Sequence, residues 1–78
     1  MSDILTPKAI GELVRAKRKE AGLTQEITAM MCGVTKKTLI RIEKGEDVYI
    51  STLFKLLNGL GIKLVQHKPQ GGNTQIWY

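Results

Sequence analysis

The chain has almost none of the residues that carry covalent or metal chemistry: one cysteine, Cys32, and one histidine, His67, in 78 residues. A single cysteine cannot close an internal disulfide, and Cys32 stands at an apolar position of a helical stretch, where a buried thiol packs as a small hydrophobe. Such cysteine usage suits a reducing compartment. His67 stands beside a glycine-rich stretch, and no metal-ligand cluster, phosphate-cradling glycine loop or paired acid and base accompanies it. Enzymatic activity is therefore the weakest reading, and no cofactor or metal is expected. Long hydrophobic runs are missing as well. Nothing approaches the roughly 20 apolar residues of a membrane span, and the N-terminus lacks a basic segment followed by an apolar one. The expectation is a soluble, cytoplasmic protein that touches no membrane.

Acidic residues are scarce: 12 Lys+Arg stand against 7 Asp+Glu, a net charge of +5. The excess is spread over both flanks, with no acid at all in residues 51–78. A basic balance favours polyanionic partners, although a merely solubilising surface gives the same figure. At this length the chain is one domain with a small core that a partner subunit would help to stabilise.

What the sequence does have is a patterned centre, Leu23 to Gly45, which reads as two short helices joined by a tight turn. Thr24 can cap the first helix and Gly33 can end it in a left-handed conformation. Thr35 can cap the second helix, with Val34 and Leu39 at the spacing of a hydrophobic staple, and Gly45 can close it. Ala29 leaves room for the two helices to cross closely. Leu39 and Ile42 then face the core, while Lys36, Lys37, Ile40, Arg41 and Lys44 point outward.

The residues Thr24, Gln25, Ala29, Gly33, Val34, Thr35, Thr38, Leu39, Arg41, Ile42, Glu43 and Gly45 stand at spacings that resemble the phage Cro/repressor (XRE-type) helix-turn-helix class. With the flanking helices the resemblance covers about residues 8 to 61, and so many fixed spacings make it specific. It implies a DNA-binding domain whose second motif helix enters the major groove. Lys36 and Lys37, in the first turn of that helix, can then donate to guanine O6 and N7, and Ile40 can touch a thymine methyl. Thr35, Thr38, Arg41 and Lys44 are better placed for phosphates, with an intramolecular pair from Arg41 to Glu43 or Glu12 as the competing use. Gln25, just inside the first motif helix, is the residue that anchors the DNA backbone in the resembled class. The chain departs from the class at Thr28, where Leu is usual, and at Ile27, Met30 and Met31, where charges are usual. Thr28 would bury a hydroxyl bonded back to a carbonyl one turn earlier. Ile27, Met30 and Met31 either fill the core through a slight rotation of the helix or form a docking patch for another protein.

Residues 1–6 are an N-terminal extension, and Thr6-Pro7 opens a first helix that runs to about Ala21, with Ile10, Leu13 and Val14 as its apolar stripe and Gly22 as its stop. Arg15, Lys17, Arg18 and Lys19 occupy its other faces, either solvated or, chiefly for Arg15 and Lys19, in contact with phosphate. After an acidic loop, Ser51 is a candidate cap for a last helix whose Leu53, Phe54, Leu56, Leu57 and Leu60 exceed what one small core requires. Burial against the first helix and a second subunit follows, in a two-fold dimer reading half-sites about 34 Å apart.

Residues 62–68, IKLVQHK, alternate like a strand, and a lone strand needs a partner, here the same strand of a second copy. Dimerisation then rests on Leu57, Leu60, Ile62, Leu64 and Val65. Helix-turn-helix followed by LGIKL is similar to the HipB-type antitoxins of bacterial toxin-antitoxin operons. Residues 69–78 read as a flexible tail ending in Trp77 and Tyr78, which either fold back or anchor a partner. The HipB resemblance implies a kinase-like HipA-type toxin as that partner. The expected architecture is thus mainly α, four to five helices around a helix-turn-helix (7–61) plus a strand paired across a homodimer. The expected function is repression at a palindromic operator in the bacterial cytosol, by an antitoxin, by a free-standing repressor or, least favoured, with the motif kept only to bind protein.

Overall fold

A computed structural model describes residues 5–65 and contains four helices: α1 (Pro7–Glu20), α2 (Gln25–Cys32), α3 (Lys36–Glu43) and α4 (Ile50–Gly59). The first three begin the same way. Thr6, Thr24 and Thr35 each accept, through the side-chain hydroxyl, the backbone N–H three residues on, at 3.0, 3.1 and 3.1 Å. Each hydroxyl satisfies one of the amides that a helix start leaves without a partner. Gly33 ends α2 at φ +72°, and Val34 N–H then reaches back to the Ala29 carbonyl at 3.0 Å, closing the turn between the two motif helices. Here a side chain would be strained, which is why glycine stands there.

The core comprises Ile10 and Val14 of α1, Ala29 and Cys32 of α2, Leu39 and Ile42 of α3, and Leu56 and Leu57 of α4, with Val34, Val48, Leu53, Leu60 and Ile62 around its edge. α3 packs on both α1 and α2, and α4 packs on α2. Two glycines permit the closest approaches. A Cβ on Gly11 would run into the backbone carbonyl oxygen of Ile42 and lie 2.9 Å from that of Glu43, so α1 and α3 touch backbone to backbone. A Cβ on Gly59 would run into the Cys32 Sγ, so α4 ends directly on the α2 side chain. Among the described residues no helix is long and apolar enough to cross a membrane.

Several expectations are corrected. Ile27, Met30 and Met31 do not fill the core: Met30 is 77% exposed and the other two about half, because Thr28, Ala29 and Cys32 already occupy the inward face of α2. Thr28 is fully buried as expected, but its hydroxyl does not bond back to the carbonyl one turn earlier and has no hydrogen-bond partner among the described residues. Leu13 is about two-fifths exposed rather than buried, since the buried face of α1 runs along Ile10, Gly11 and Val14. Ser51 is not a cap. Val48 is held against the core and the chain enters α4 at Ile50 from Tyr49, with no side-chain cap. α4 leans chiefly on α2 rather than α1. Leu57 is buried in its own protomer and so is unavailable to a second subunit. Among the described residues the strand expected over 62–68 does not form: 62–65 carry no regular structure, since no other described segment runs extended beside them to supply a ladder, and 66–68 lie outside the described residues.

Candidate nucleic-acid interface

Packing α3 against α1 and α2 through Leu39 and Ile42 leaves its opposite side in solvent. Lys36, Lys37, Ile40, Arg41 and Lys44 there line one open cleft of about 670 Å³. The expected base-contacting residues and two of the expected phosphate contacts thus share a surface. Lys36 Nζ lies 3.3 Å from Glu26 Oε2, and Arg41 Nε 3.5 Å from Glu46 Oε1. Both pairs are exposed, a setting in which an ion pair contributes under about 1 kcal/mol, so either cation can exchange its carboxylate for a phosphate or base edge. Arg41 is therefore paired with Glu46, not with Glu43 or Glu12. Lys37 and Lys44 have no acidic partner among the described residues.

On one flank, Ile40 and Lys44 also border a cleft of about 600 Å³ lined by Arg15, Gln25 and Glu26, so the C-terminal half of α1 and the start of α2 join the α3 surface. On the other flank, Thr38 and Arg41 border a third cleft with Tyr49 and Thr52 at the start of α4. The Thr35 and Thr38 hydroxyls are hydrogen-bonded to each other at 2.9 Å. Lys19 is exposed but lines none of these clefts.

Sequence reasoning missed what lies under the first flank. Arg18, grouped with the solvated cations of α1, is 8% exposed and forms a two-pronged pair with Glu43: Nε donates to Oε2 at 2.7 Å and Nη2 to Oε1 at 3.2 Å. Its Nη1 donates to the Leu23 carbonyl at 2.9 Å, and Gln25 Nε2 donates to Glu43 Oε1 at 3.2 Å. Tyr49 and Thr52 were missed too, because their position depends on where α4 folds back beside α3. Burial pushes the Cys32 thiol up from its usual range, and Sγ donates to the Leu56 carbonyl at 3.7 Å; this thiol is part of the core. Leu60 and Ile62 are partly covered by their own core, Leu64 and Val65 are exposed, and Trp77 and Tyr78 lie outside the described residues.

A two-helix motif with a threonine-capped, cation-bearing second helix, held by flanking helices, defines a DNA-binding helix-turn-helix module. The sequence profile of the helix-turn-helix family (HTH_3) matches residues 14–66, and the chain belongs to that family. A protein of Pyrobaculum aerophilum named as an HTH-type transcriptional regulatory protein is 39% identical over 59 residues, 74% of this chain; the chain spans 24% of that relative's length. Among solved structures, the restriction-modification controller protein C.AhdI from Aeromonas hydrophila superposes with a TM-score of 0.65 at 28% identity, over 73% of this chain and 84% of its own. HipB in the HipA-HipB-O2-O3 complex superposes with a TM-score of 0.75 at 21% identity, over 90% of this chain and all of its own, a likeness of fold.

Proposed function

We propose that the chain is a sequence-specific DNA-binding regulator that acts as a homodimer on a palindromic operator. The observation that carries this reading is the outward face of α3, where Lys36, Lys37, Ile40, Arg41 and Lys44 share one cleft that continues into Arg15 and Gln25. In this reading Lys36 and Lys37 donate to guanine edges and Ile40 packs on a thymine methyl. Gln25, Thr35, Thr38, Arg41, Lys44 and Arg15 hold the backbone, with Lys19 at the margin. Lys36 must release Glu26 to do so, at little cost for an exposed pair. Dimerisation uses the exposed Leu64 and Val65 with the partly covered Leu60 and Ile62. Repression follows from two copies occupying a promoter.

The test is a duplex selected by the protein from a random-sequence pool. Lys36→Ala combined with Lys37→Ala is expected to weaken binding about a hundredfold, as loss of two base contacts would. Unchanged affinity for that duplex would sink base reading by α3. For the parent, raising salt from about 50 to 200 mM should weaken binding about a thousandfold if several phosphates are neutralised.

A narrower version makes the chain an antitoxin for a HipA-like kinase. It draws support from the fold shared with HipB over nine-tenths of the chain and from the exposed Ile27, Met30 and Met31 stripe on α2, a surface suited to a protein partner. Co-purification of a kinase-sized protein from the source cell, lost when Trp77 and Tyr78 are removed, would support it; DNA binding with no such partner would leave a free-standing repressor.

A further inference from the structure

Three helices meet at the Glu43 carboxylate on α3. Its two oxygens take three donors, Nε and Nη2 of Arg18 from α1 and Nε2 of Gln25 from α2, and the acid and the arginine are 6% and 10% exposed at their side chains. A side-chain amide has two ends of the same shape, one that donates and one that accepts, and on a free surface residue they exchange places by rotation. A carboxylate can only accept. Glu43 therefore faces the nitrogen end of Gln25, engages one of its two N–H groups, and leaves the other at the cleft that Gln25 shares with Arg15 and Lys44.

We infer that Glu43 is a positioning residue for the DNA-backbone contact of Gln25: it fixes which end of the amide faces DNA, and Arg18 keeps Glu43 in place. The inference rests on the DNA-binding reading above. Arg18 does two things for it. Its Nη1 bond to the Leu23 carbonyl ties down the residue just before the Thr24 cap, so α1 holds the start of α2 as well as the acid. Its charge cancels that of Glu43, so a phosphate arriving above does not meet an uncompensated anion. Glu43→Gln would replace one acceptor oxygen by a donor nitrogen. Arg18 and Gln25 would then compete for the single oxygen that remains, and the Gln25 amide would be released or turned.

The experiment is a double-mutant cycle on the full chain, with affinity for a short mixed-sequence duplex measured at low salt and at a temperature where circular dichroism shows every variant folded. Gln25→Ala is expected to weaken binding about tenfold, as loss of one hydrogen bond to a charged group would. Glu43→Gln is expected to weaken it several-fold in the parent and not at all in the Gln25→Ala background. Equal losses in both backgrounds mean that Glu43 serves only the fold, and overturn the inference while DNA binding stands. A parent that does not bind the duplex overturns the DNA-binding reading and takes the inference with it. If Glu43→Gln does not fold, nitrogen relaxation in the parent decides. The Gln25 side-chain amide should be as ordered as the backbone while the exposed Asn58 amide is mobile, and equal mobility of the two overturns the inference.

Discussion

Two of the helix crossings that hold this domain together, α1 on α3 and α4 on α2, are built differently. Where α1 crosses α3, Gly11 lets backbone lie on backbone, and two turns further along α1 the Arg18–Glu43 pair locks the same two helices with directional bonds. Where α4 crosses α2, Gly59 rests on the Cys32 side chain, and among the described residues the one side-chain hydrogen bond across the crossing is the long contact from the Cys32 thiol to the Leu56 carbonyl. The first crossing specifies an angle as well as burying area; the second mostly buries area. The difference matches what each carries. α3 holds the side chains proposed to read DNA, and small errors in its pose would move every one of them; α4 closes the core against α2 with Leu56 and Leu57.

Substitutions at the two glycines should separate the crossings. Gly11→Ala gains roughly 1 kcal/mol in helix propensity but drives a methyl into carbonyls that cannot yield without moving α3. The expected net loss is at least about 3 kcal/mol, a large share of what a small domain has, visible in urea unfolding as a midpoint shifted far down or as a chain that does not fold. Gly59→Ala meets the Cys32 Sγ, which can turn aside, but its methyl also lies 3.0 Å from the Cys32 Cβ and 3.2 Å from its Cα, which must give by a few tenths of an ångström. Its net cost should therefore be smaller, about 1–2 kcal/mol. Equal losses at both sites would mean that the α2–α4 contact is as unyielding as the α1–α3 contact. The smallest effect has the opposite sign. Thr28→Val keeps the shape and removes the unpartnered hydroxyl, and should raise stability by about 1 kcal/mol, seen as a higher thermal midpoint. A lower midpoint would place a hydrogen-bond partner on that hydroxyl in solution.

The motif itself was legible in the sequence because its signals are local. A threonine three residues before the amide it caps, or a glycine one residue past a helix, needs no knowledge of the rest of the chain. Thr24, Gly33, Thr35 and Gly45 all stand in the roles their types suggest. Arg18 was not legible, because its burial depends on Glu43, 25 residues away, and a helical wheel places a lone arginine in solvent. Of the two readings of Ile27, Met30 and Met31, the core one fails for the converse reason: hydrophobic side chains suggest burial, but the inward arc of α2 is already filled by Thr28, Ala29 and Cys32. For Leu57, the apolar surplus of α4 was assigned to a second subunit when its own core required that side chain. Ser51 failed as a cap because packing of Val48 decides where the chain turns into α4, and tertiary contacts override a local preference.

The length of α3 has a consequence for how such a domain finds its address. Eight residues make a rod about 12 Å long at the α-helical rise. Laid along a duplex with base pairs about 3.4 Å apart, it passes three or four of them. In a four-letter alphabet a four-letter word recurs by chance roughly every few hundred base pairs, so one rod alone would be lost among identical addresses in any genome. Vocabulary of that size becomes an address only when two words are read together at a set distance.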